Sequence, residues 1–274
     1  MDYVVPTIYQ AQCTTAQLLG KPYVPLQNTT LNEKWGIYDT LIPSSSTYPT
    51  LKYLAIGNGG HKVLDTSGGP PYSINPVQHK PINVSLYNHL PWIIRPANND
   101  LTPTERLQYR MRVPVTIQGD DYIAYYLKLV DTSSTNPTIN VVTWNTTRVS
   151  SPLSGGGSVL NPIPTTNNST AGDDYVTVDA ELPIRIDNAQ QNEIRNAGNL
   201  IYGDMAKVVI SELGLYMGID TVVNAVDSSS NPFTYTETIY TQPTVLMNTF
   251  ISLQHSVNNI ELDLGIGCAE PMQL

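Results

Sequence analysis

Residues 113–129 read VPVTIQGDDYIAYYLKL, and this stretch decides the fold class. Residues 113–117 and 122–129 are rich in β-branched, aromatic and aliphatic side chains, which favour strands. The triplet Gly119-Asp120-Asp121 between them is typical of a tight turn. The stretch therefore predicts a β-hairpin. Because proline cannot donate a ladder hydrogen bond, we expect Pro114 at the start of a strand or on an edge strand.

Similar patterns extend the β prediction along most of the chain. We expect further strands at residues 51–56, 138–144, 175–186, 207–217, 235–240, 245–253 and 258–264. Three segments rich in Gly, Pro, Ser, Thr and Asn separate them and predict long loops, at residues 64–82, 131–137 and 149–172.

Helical signals are few. Thr102 followed by Pro103 and Glu105 is a capping-box pattern, which predicts a short helix that runs to about Arg112. Residues 187–194 predict one further short helix, and we expect no others. The sequence thus predicts a mainly β protein with an antiparallel β-sandwich or jelly-roll-like core, long loops and one or two short helices.

The length of 274 residues fits one mostly β unit over residues 1–274. A weak boundary near residue 100 is the alternative. It would separate a loop-rich part, residues 1–100, from a β-rich part, residues 101–274, because proline density falls and β patterning strengthens there.

The charge composition excludes several function classes. Lys and Arg number 14 against 23 Asp and Glu, for a net charge of −9, and only 14% of residues are charged. An acidic chain repels phosphate backbones, so we expect no nucleic-acid partner. No apolar stretch is long enough to span a membrane, and the first residues lack the pattern of a secretory signal.

No motif predicts catalysis, a cofactor or a metal. The run Gly57-Asn58-Gly59-Gly60 predicts a hairpin or loop turn rather than a phosphate-binding loop, because no helix pattern follows it. The four histidines have no metal-ligand spacing, and we expect Cys13 and Cys268 to be unpaired thiols.

Two acidic pairs, Asp120-Asp121 and Asp173-Asp174, are interpreted as turn formers. We therefore name no catalytic, cofactor-binding or metal-binding residue and expect a non-enzymatic protein.

Aromatic and arginine side chains supply the interface candidates. Tyr122, Tyr125 and Tyr126 lie on one predicted strand, and Trp92 and Arg95 lie in the proline-bounded segment 91–96. Trp, Tyr and Arg are the residue types enriched at binding hot spots. Packing of the tyrosines within their own domain is an equally good interpretation.

Two segments resemble parts of virion structural proteins of tailed bacteriophages. Residues 209–216, VISELGLY, are similar to an SE(I/L)GL(F/Y) strand of tail, baseplate and fibre-attachment proteins. Residues 53–60, YLAIGNGG, are similar to a Y(I/L)AIGNG strand and turn near the start of such proteins.

The resemblance implies a component of the neck or collar, tail or baseplate, located in the virion after assembly in the host cytoplasm. Its implied partners are copies of itself, in a homo-oligomeric ring or another symmetric assembly, and other virion proteins. The net charge favours a position away from a DNA-lined channel.

Two other functions stay open. A carbohydrate- or receptor-binding module of a tail fibre would present an exposed aromatic platform, built from Tyr residues and Trp35, Trp92 or Trp144. A polysaccharide-cleaving enzyme would place two carboxylates roughly 5–9.5 Å apart across a groove.

Overall fold

The computed structural model describes residues 3–23, 47–64, 73–144, 148–152, 175–204, 208–226, 230–253 and 259–271. The chain folds into two compact units. Unit 1 comprises Met1–Val130 and Ile186–Asn259, and unit 2 comprises Asp131–Arg185 and Ile260–Leu274. Residue 100, the position of the alternative boundary, lies inside unit 1.

Unit 1 is built on antiparallel strands. Their bounds are β1 Tyr3–Pro6, β2 Thr50–Gly57, β3 His61–Leu64, β4 Ser73–Pro76, β5 His89–Leu90, β6 Ile93–Pro96, β7 Tyr109–Ile117, β8 Asp120–Leu129, β12 Val209–Val226 and β13 Pro232–Ser252. The main sheet has the order β1-β13-β12-β2-β8-β6, with β5 paired to β2 and β7 paired to β8. β3 and β4 form a separate two-stranded sheet, here called the arm.

Unit 2 contains a four-stranded antiparallel sheet. Its strands are β9 Thr138–Trp144, β10 Arg148–Pro152, β11 Tyr175–Ile186 and β14 Ile260–Pro271, in the order β10-β9-β11-β14. Val142, Leu182 and Ile184 are its buried apolar side chains among the described residues. The prediction of a mainly β fold with antiparallel sheets is confirmed.

The predicted hairpin forms from β7 and β8. Ile117 pairs with Asp120, so the turn is Gln118-Gly119 rather than the predicted Gly119-Asp120-Asp121. Both turn residues have positive φ, 54° and 96°. That combination matches the right-handed twist of the flanking strands. Pro114 lies on β7, which pairs with β8 alone among the described strands, as expected for an edge.

The strands predicted at residues 235–240 and 245–253 are one strand, β13. The strand continues through Pro243, where the register with β12 shifts between Leu215 and Tyr216 and forms a bulge. A bulge accommodates a residue that cannot donate to the ladder. The carbonyl of Pro243 also accepts a hydrogen bond from the Thr7 hydroxyl at 2.6 Å.

The described residues contain three helices: α1 Ile8–Leu18, α2 Pro103–Arg106 and α3 Asn188–Tyr202. The capping box of Thr102 and Glu105 is confirmed, but the prediction that this helix runs to Arg112 is wrong. It ends after four residues because β7 begins at Tyr109 and pairs with β8.

The helix predicted at 187–194 is longer than expected, and the helix at residues 8–18 was not predicted, so the limit of two helices is wrong. α3 starts at an Asp187 cap and ends where Gly203 adopts φ 63°. None of the helices in the described ranges is long and apolar enough to cross a membrane.

One hydrophobic core of unit 1 lies between five strands and Leu86. Its buried members are Tyr53, Ala55, Leu86, Met111, Leu127, Tyr216 and Leu246. The sheet curls around them, since the edge strand β7 reaches β13, where Glu237 binds backbone N–H groups of Met111 and Arg112. Because the sheet curls, the edge strand β7 is bound by the Glu237 side chain of β13.

Candidate functional site

The two segments that resemble virion proteins are neighbours in the main sheet. β2 pairs with β12 so that Gly57 lies opposite Glu212, and Tyr53 lies opposite Tyr216. Two short motifs far apart in sequence therefore form one structural element, and the turn after β2 lies beside Glu212.

Glu212 is the centre of this element. Its side chain is completely buried, and its carboxylate accepts hydrogen bonds from the backbone N–H groups of Gly59 at 2.9 Å, Tyr87 at 2.9 Å and Asn88 at 2.8 Å. The Nε2 atom of the buried His79 lies 3.0 Å from Glu212 Oε2. A buried carboxylate needs such partners. Burying even a neutral polar group without a hydrogen-bond partner costs roughly 2 to 7 kcal/mol, and burying an unpaired charge costs more.

Glycines allow the chain to approach Glu212 this closely. A Cβ atom on Gly57 would lie 2.5 Å from Glu212 Oε1, and one on Gly60 would lie 2.3 Å from the Ser211 carbonyl oxygen. The prediction of a turn rather than a phosphate-binding loop is confirmed, because Gly60 leads directly into β3.

Asn248 of β13 also binds the base of the arm through hydrogen bonds. Its amide nitrogen donates to the carbonyls of Gly60 at 3.2 Å and Val77 at 2.8 Å. Its amide oxygen accepts from the N–H of His79 at 3.3 Å. Since Val77 N–H also donates to the Gly60 carbonyl at 2.9 Å, both strands of the arm are tied together where they leave the main sheet.

A segment of residues 77–88, here called the strap, continues from the arm across the site. The His79 ring stacks on Tyr87 with 4.5 Å between centroids and 9° between planes. Leu86 is buried in the core, and its N–H donates to the Tyr216 hydroxyl at 3.3 Å. Complete burial raises the pKa of Tyr216, so this hydroxyl stays protonated.

The side chains of this site hold backbone segments in place. The side chains of His79 and Glu212 have no exposed surface, and the carboxylate binds three backbone N–H groups. A general acid or base must instead reach the proton of a substrate. The arrangement fixes the turn, the arm base and the strap as one unit.

Glu237 on β13 forms a second buried carboxylate site, here called the seam. It accepts backbone hydrogen bonds from Met111 at 2.7 Å, Arg112 at 2.9 Å and Thr238 at 2.8 Å. Burial raises the pKa of Glu237 to about 7, against the lowering effect of these bonds and of Arg110. Arg110 is also paired with a carboxylate of β12, that of Asp220, at 3.2 Å.

Two of the five interface candidates are core residues. Trp92 is 1% exposed and donates from Nε1 to the Leu54 carbonyl at 3.0 Å. Tyr125 is fully buried, and its hydroxyl donates to Asp100 at 2.8 Å. Both side chains stabilise unit 1 and offer no surface to a partner.

The other three candidates lie at the contact between the main sheet and α3. Arg95 binds Glu193 of α3 through two hydrogen bonds of 2.7 Å, with both side chains 29% exposed. Tyr122 and Tyr126 are half-buried and pack on a cluster that includes Ala197 of α3. Their main contacts are therefore within the chain.

The remaining sequence candidates have local roles or lie outside the described residues. The interpretation of Asp120-Asp121 as turn formers is wrong, because both residues belong to β8 and pair with Ile117 and Thr116 of β7. Asp121 accepts from the Thr116 hydroxyl at 2.8 Å. Asp173-Asp174 and His255 are outside the described residues. Cys13 and Cys268 are both unpaired, as predicted. No cluster of metal-ligating side chains occurs in the described part of the chain.

Unit 2 has an open cleft along its sheet. Polar side chains line it, among them Asp179, Glu181 and Asp263. Asn140 donates to Asp179 at 3.0 Å, and the Thr138 hydroxyl donates to the Asp179 carbonyl at 3.2 Å. Hydrogen bonds between β9 and β11 therefore help to fix the side chains that line the cleft.

Sequence reasoning missed the two buried glutamates and Asn248. A signal was present for Glu212, which is the one charged residue in the apolar run 208–219. Ionised side chains are almost never fully buried unless they are paired. Their partners, from Gly59 to Met111, lie too far away in sequence for spacing to reveal them.

The comparison with curated proteins finds no match, and the comparison with solved structures finds none either. The model of a family of unknown function (DUF7208) matches residues 1–274. The chain therefore belongs to the DUF7208 family.

Proposed function

We propose that the chain is a non-enzymatic structural subunit of a tailed-phage virion, in the neck or collar, tail or baseplate. It assembles through self-association and through contacts with other virion proteins. The resemblance of residues 53–60 and 209–216 suggests the setting. The observation that carries the proposal is the arm, whose base is held by the buried side chains of Glu212 and Asn248 through backbone hydrogen bonds.

The arm is a two-stranded element whose base is fixed by hydrogen bonds. Its two strands pair only with each other among the described strands, from His61 opposite Pro76 to Leu64 opposite Ser73. Glu212 and Asn248 hold its base. A preorganised hairpin loses little conformational entropy when a neighbour binds it, and symmetric assemblies use such elements to clasp adjacent subunits.

The use of the buried carboxylates supports a non-enzymatic role. Glu212 and Glu237 each accept three backbone hydrogen bonds, so both serve the fold.

The charge distribution supports a position away from DNA. Unit 2 contains eight Asp and Glu residues but only two Lys and Arg residues, and such an excess of negative charge repels phosphate.

The test is the native mass and symmetry of the purified chain, together with an arm variant. Replacing residues 62–75 by a two-residue turn joins His61 to Pro76, which are partners in register. We expect a symmetric oligomer for the wild type and a folded, dissociated chain for the variant.

A matched control shortens a different hairpin. Joining Asn224 to Thr234, which are partners at the far end of β12 and β13, leaves the arm intact and should keep the oligomer. A wild type that is monomeric at every concentration, with no virion partner, would contradict the proposal.

The carbohydrate-binding alternative has one supporting observation, the polar cleft of unit 2. Asp179, Glu181, Asp263 and neighbouring Asn and Thr side chains are suitable partners for sugar hydroxyls. Glycan-array binding that Asp179→Asn abolishes would favour this alternative. Release of reducing ends from a polysaccharide by the wild type would favour the cleaving enzyme instead.

A further inference from the structure

The turn at the arm base contains the one Asn-Gly pair of the sequence, Asn58-Gly59. The packing explains why glycine is kept there. A Cβ atom on Gly59 would lie 2.7 Å from both the Asn88 backbone nitrogen and the Tyr87 Cβ atom. The position therefore requires a glycine, and the glycine creates a chemically sensitive pair.

Asn-Gly pairs are prone to deamidation because glycine does not shield its backbone nitrogen. The nitrogen of the glycine loses its proton and attacks the Cγ atom of the asparagine. A new C–N bond forms, ammonia leaves, and a cyclic imide results. Water then opens either carbonyl of the imide and leaves aspartate or isoaspartate. The overall reaction consumes one water and releases one ammonia.

The structure opposes the first step of this reaction at the Gly59 nitrogen and fixes the orientation of Asn58. The N–H group of Gly59 donates to Glu212 Oε1 at 2.9 Å, and a carboxylate at that distance disfavours the loss of the amide proton. The Asn58 amide oxygen accepts from the Asn88 side chain at 2.6 Å, and the Asn58 backbone N–H donates to the Asn88 carbonyl at 3.0 Å. The proton of the attacking nitrogen is thus held by Glu212, and the two hydrogen bonds to Asn88 fix the orientation of Asn58.

We propose that Asn58 is a latent deamidation site that Glu212 keeps unreactive, and that release of the Gly59 N–H from Glu212 converts Asn58 to aspartate or isoaspartate. Conversion adds a negative charge close to Glu212. Isoaspartate also lengthens the backbone within the turn that carries the arm. The buried carboxylate therefore protects the arm base chemically as well as structurally.

The test follows the modification of residue 58 by peptide mass spectrometry during incubation at mildly alkaline pH, with fragmentation that distinguishes isoaspartate. Glu212→Gln removes the charge beside the Gly59 nitrogen. We expect conversion about tenfold faster or more than in the wild type, the factor that corresponds to loss of one charge-assisted hydrogen bond. Glu237→Gln is the matched control, since it alters the other buried carboxylate, and it should leave residue 58 at the wild-type rate.

A folded Glu212→Gln chain that converts no faster than Glu237→Gln would overturn the proposal. If Glu212→Gln does not fold, the wild type is compared in its native state and in urea. We expect conversion in urea to be faster by about tenfold or more, since unfolding releases Gly59 from Glu212. Equal rates in the two states would overturn the proposal as well.

Discussion

Glu212 and Glu237 are both fully buried and each accepts three backbone hydrogen bonds, yet they stabilise different parts of unit 1. The partners of Glu212 belong to a turn and to the strap, which form no ladder there. Two of the three partners of Glu237 belong to the edge strand β7, which is already paired to β8. A buried carboxylate thus organises irregular backbone at one site and joins two strands at the other.

The largest effect is expected for Glu212→Ala. It leaves the N–H groups of Gly59, Tyr87 and Asn88 without their acceptor and His79 without its carboxylate neighbour. We expect the free energy of unfolding to fall by about 3–5 kcal/mol, as when one partner of a buried pair is removed. Urea denaturation measures it.

Glu237→Ala is expected to destabilise the fold less than Glu212→Ala does. Because burial of the charged form already carries a cost at this site, removal should lower the free energy of unfolding by less, about 2 kcal/mol at neutral pH. A larger loss for Glu237→Ala than for Glu212→Ala would break the distinction between the two sites.

The second prediction concerns pH. The folded pKa of Glu237 is about 7 and its ordinary value is 4.5, so between these values the folded state keeps a proton that the unfolded state has released. Stability from this group is therefore lost as pH rises through the window, by about 3 kcal/mol in total. Glu237→Gln should show a profile flatter by that amount in urea titrations.

Glu105→Gln is the control for the pH profile. Hydrogen bonds from Thr102 lower the pKa of Glu105 below 4.5, so its titration lies outside the window and the slope there should not change. If the free energy of unfolding depends on pH in the same way in the wild type and in Glu237→Gln, Glu237 does not titrate in this window and the prediction is wrong.

The third prediction tests the close approach at the arm base. Gly60→Ala places a Cβ atom 2.3 Å from the Ser211 carbonyl, which is backbone and cannot rotate away. We expect a loss of about 2–3 kcal/mol. Gly119→Ala, in the open β7–β8 turn with φ 96°, meets no atom within 4 Å and should cost about 1 kcal/mol through backbone strain alone. Equal losses in thermal or urea denaturation would contradict the packing argument.

The smallest effect is expected where a glutamate is not buried. Arg95→Ala removes the pair with Glu193, whose side chain is 29% exposed, and should cost about 1 kcal/mol or less. A double-mutant cycle with Glu193→Ala measures the coupling. A coupling as large as the Glu212 effect would remove the contrast between a fully buried carboxylate and a half-buried one.

Local signals made much of the fold predictable from sequence. The β7–β8 hairpin follows from its turn residues, and both capping boxes, Thr102 with Glu105 and Asp187 with Gln190, form between residues three apart. These hydrogen bonds need no tertiary context, so their residue types carry the information.

Features that depend on tertiary contacts were not predictable. α1 buries only Tyr9 and Cys13, and its apolar face is recognisable only once β13 supplies the surface. The tyrosines of β8 illustrate the same point. Tyr125 points into one core cluster, while Tyr122 and Tyr126 pack toward α3, because successive side chains of a strand alternate between faces. Residue type alone did not assign these faces.

Native-state hydrogen exchange shows whether Glu212 fixes the arm base. The amides of Gly59, Tyr87 and Asn88 lie in irregular backbone, and ordinary loop amides exchange through low-energy local opening. We expect these three to exchange as slowly as core strand amides, while an exposed turn amide such as Ser133 exchanges fast. Exchange of the three amides at the rate of Ser133 would contradict this expectation.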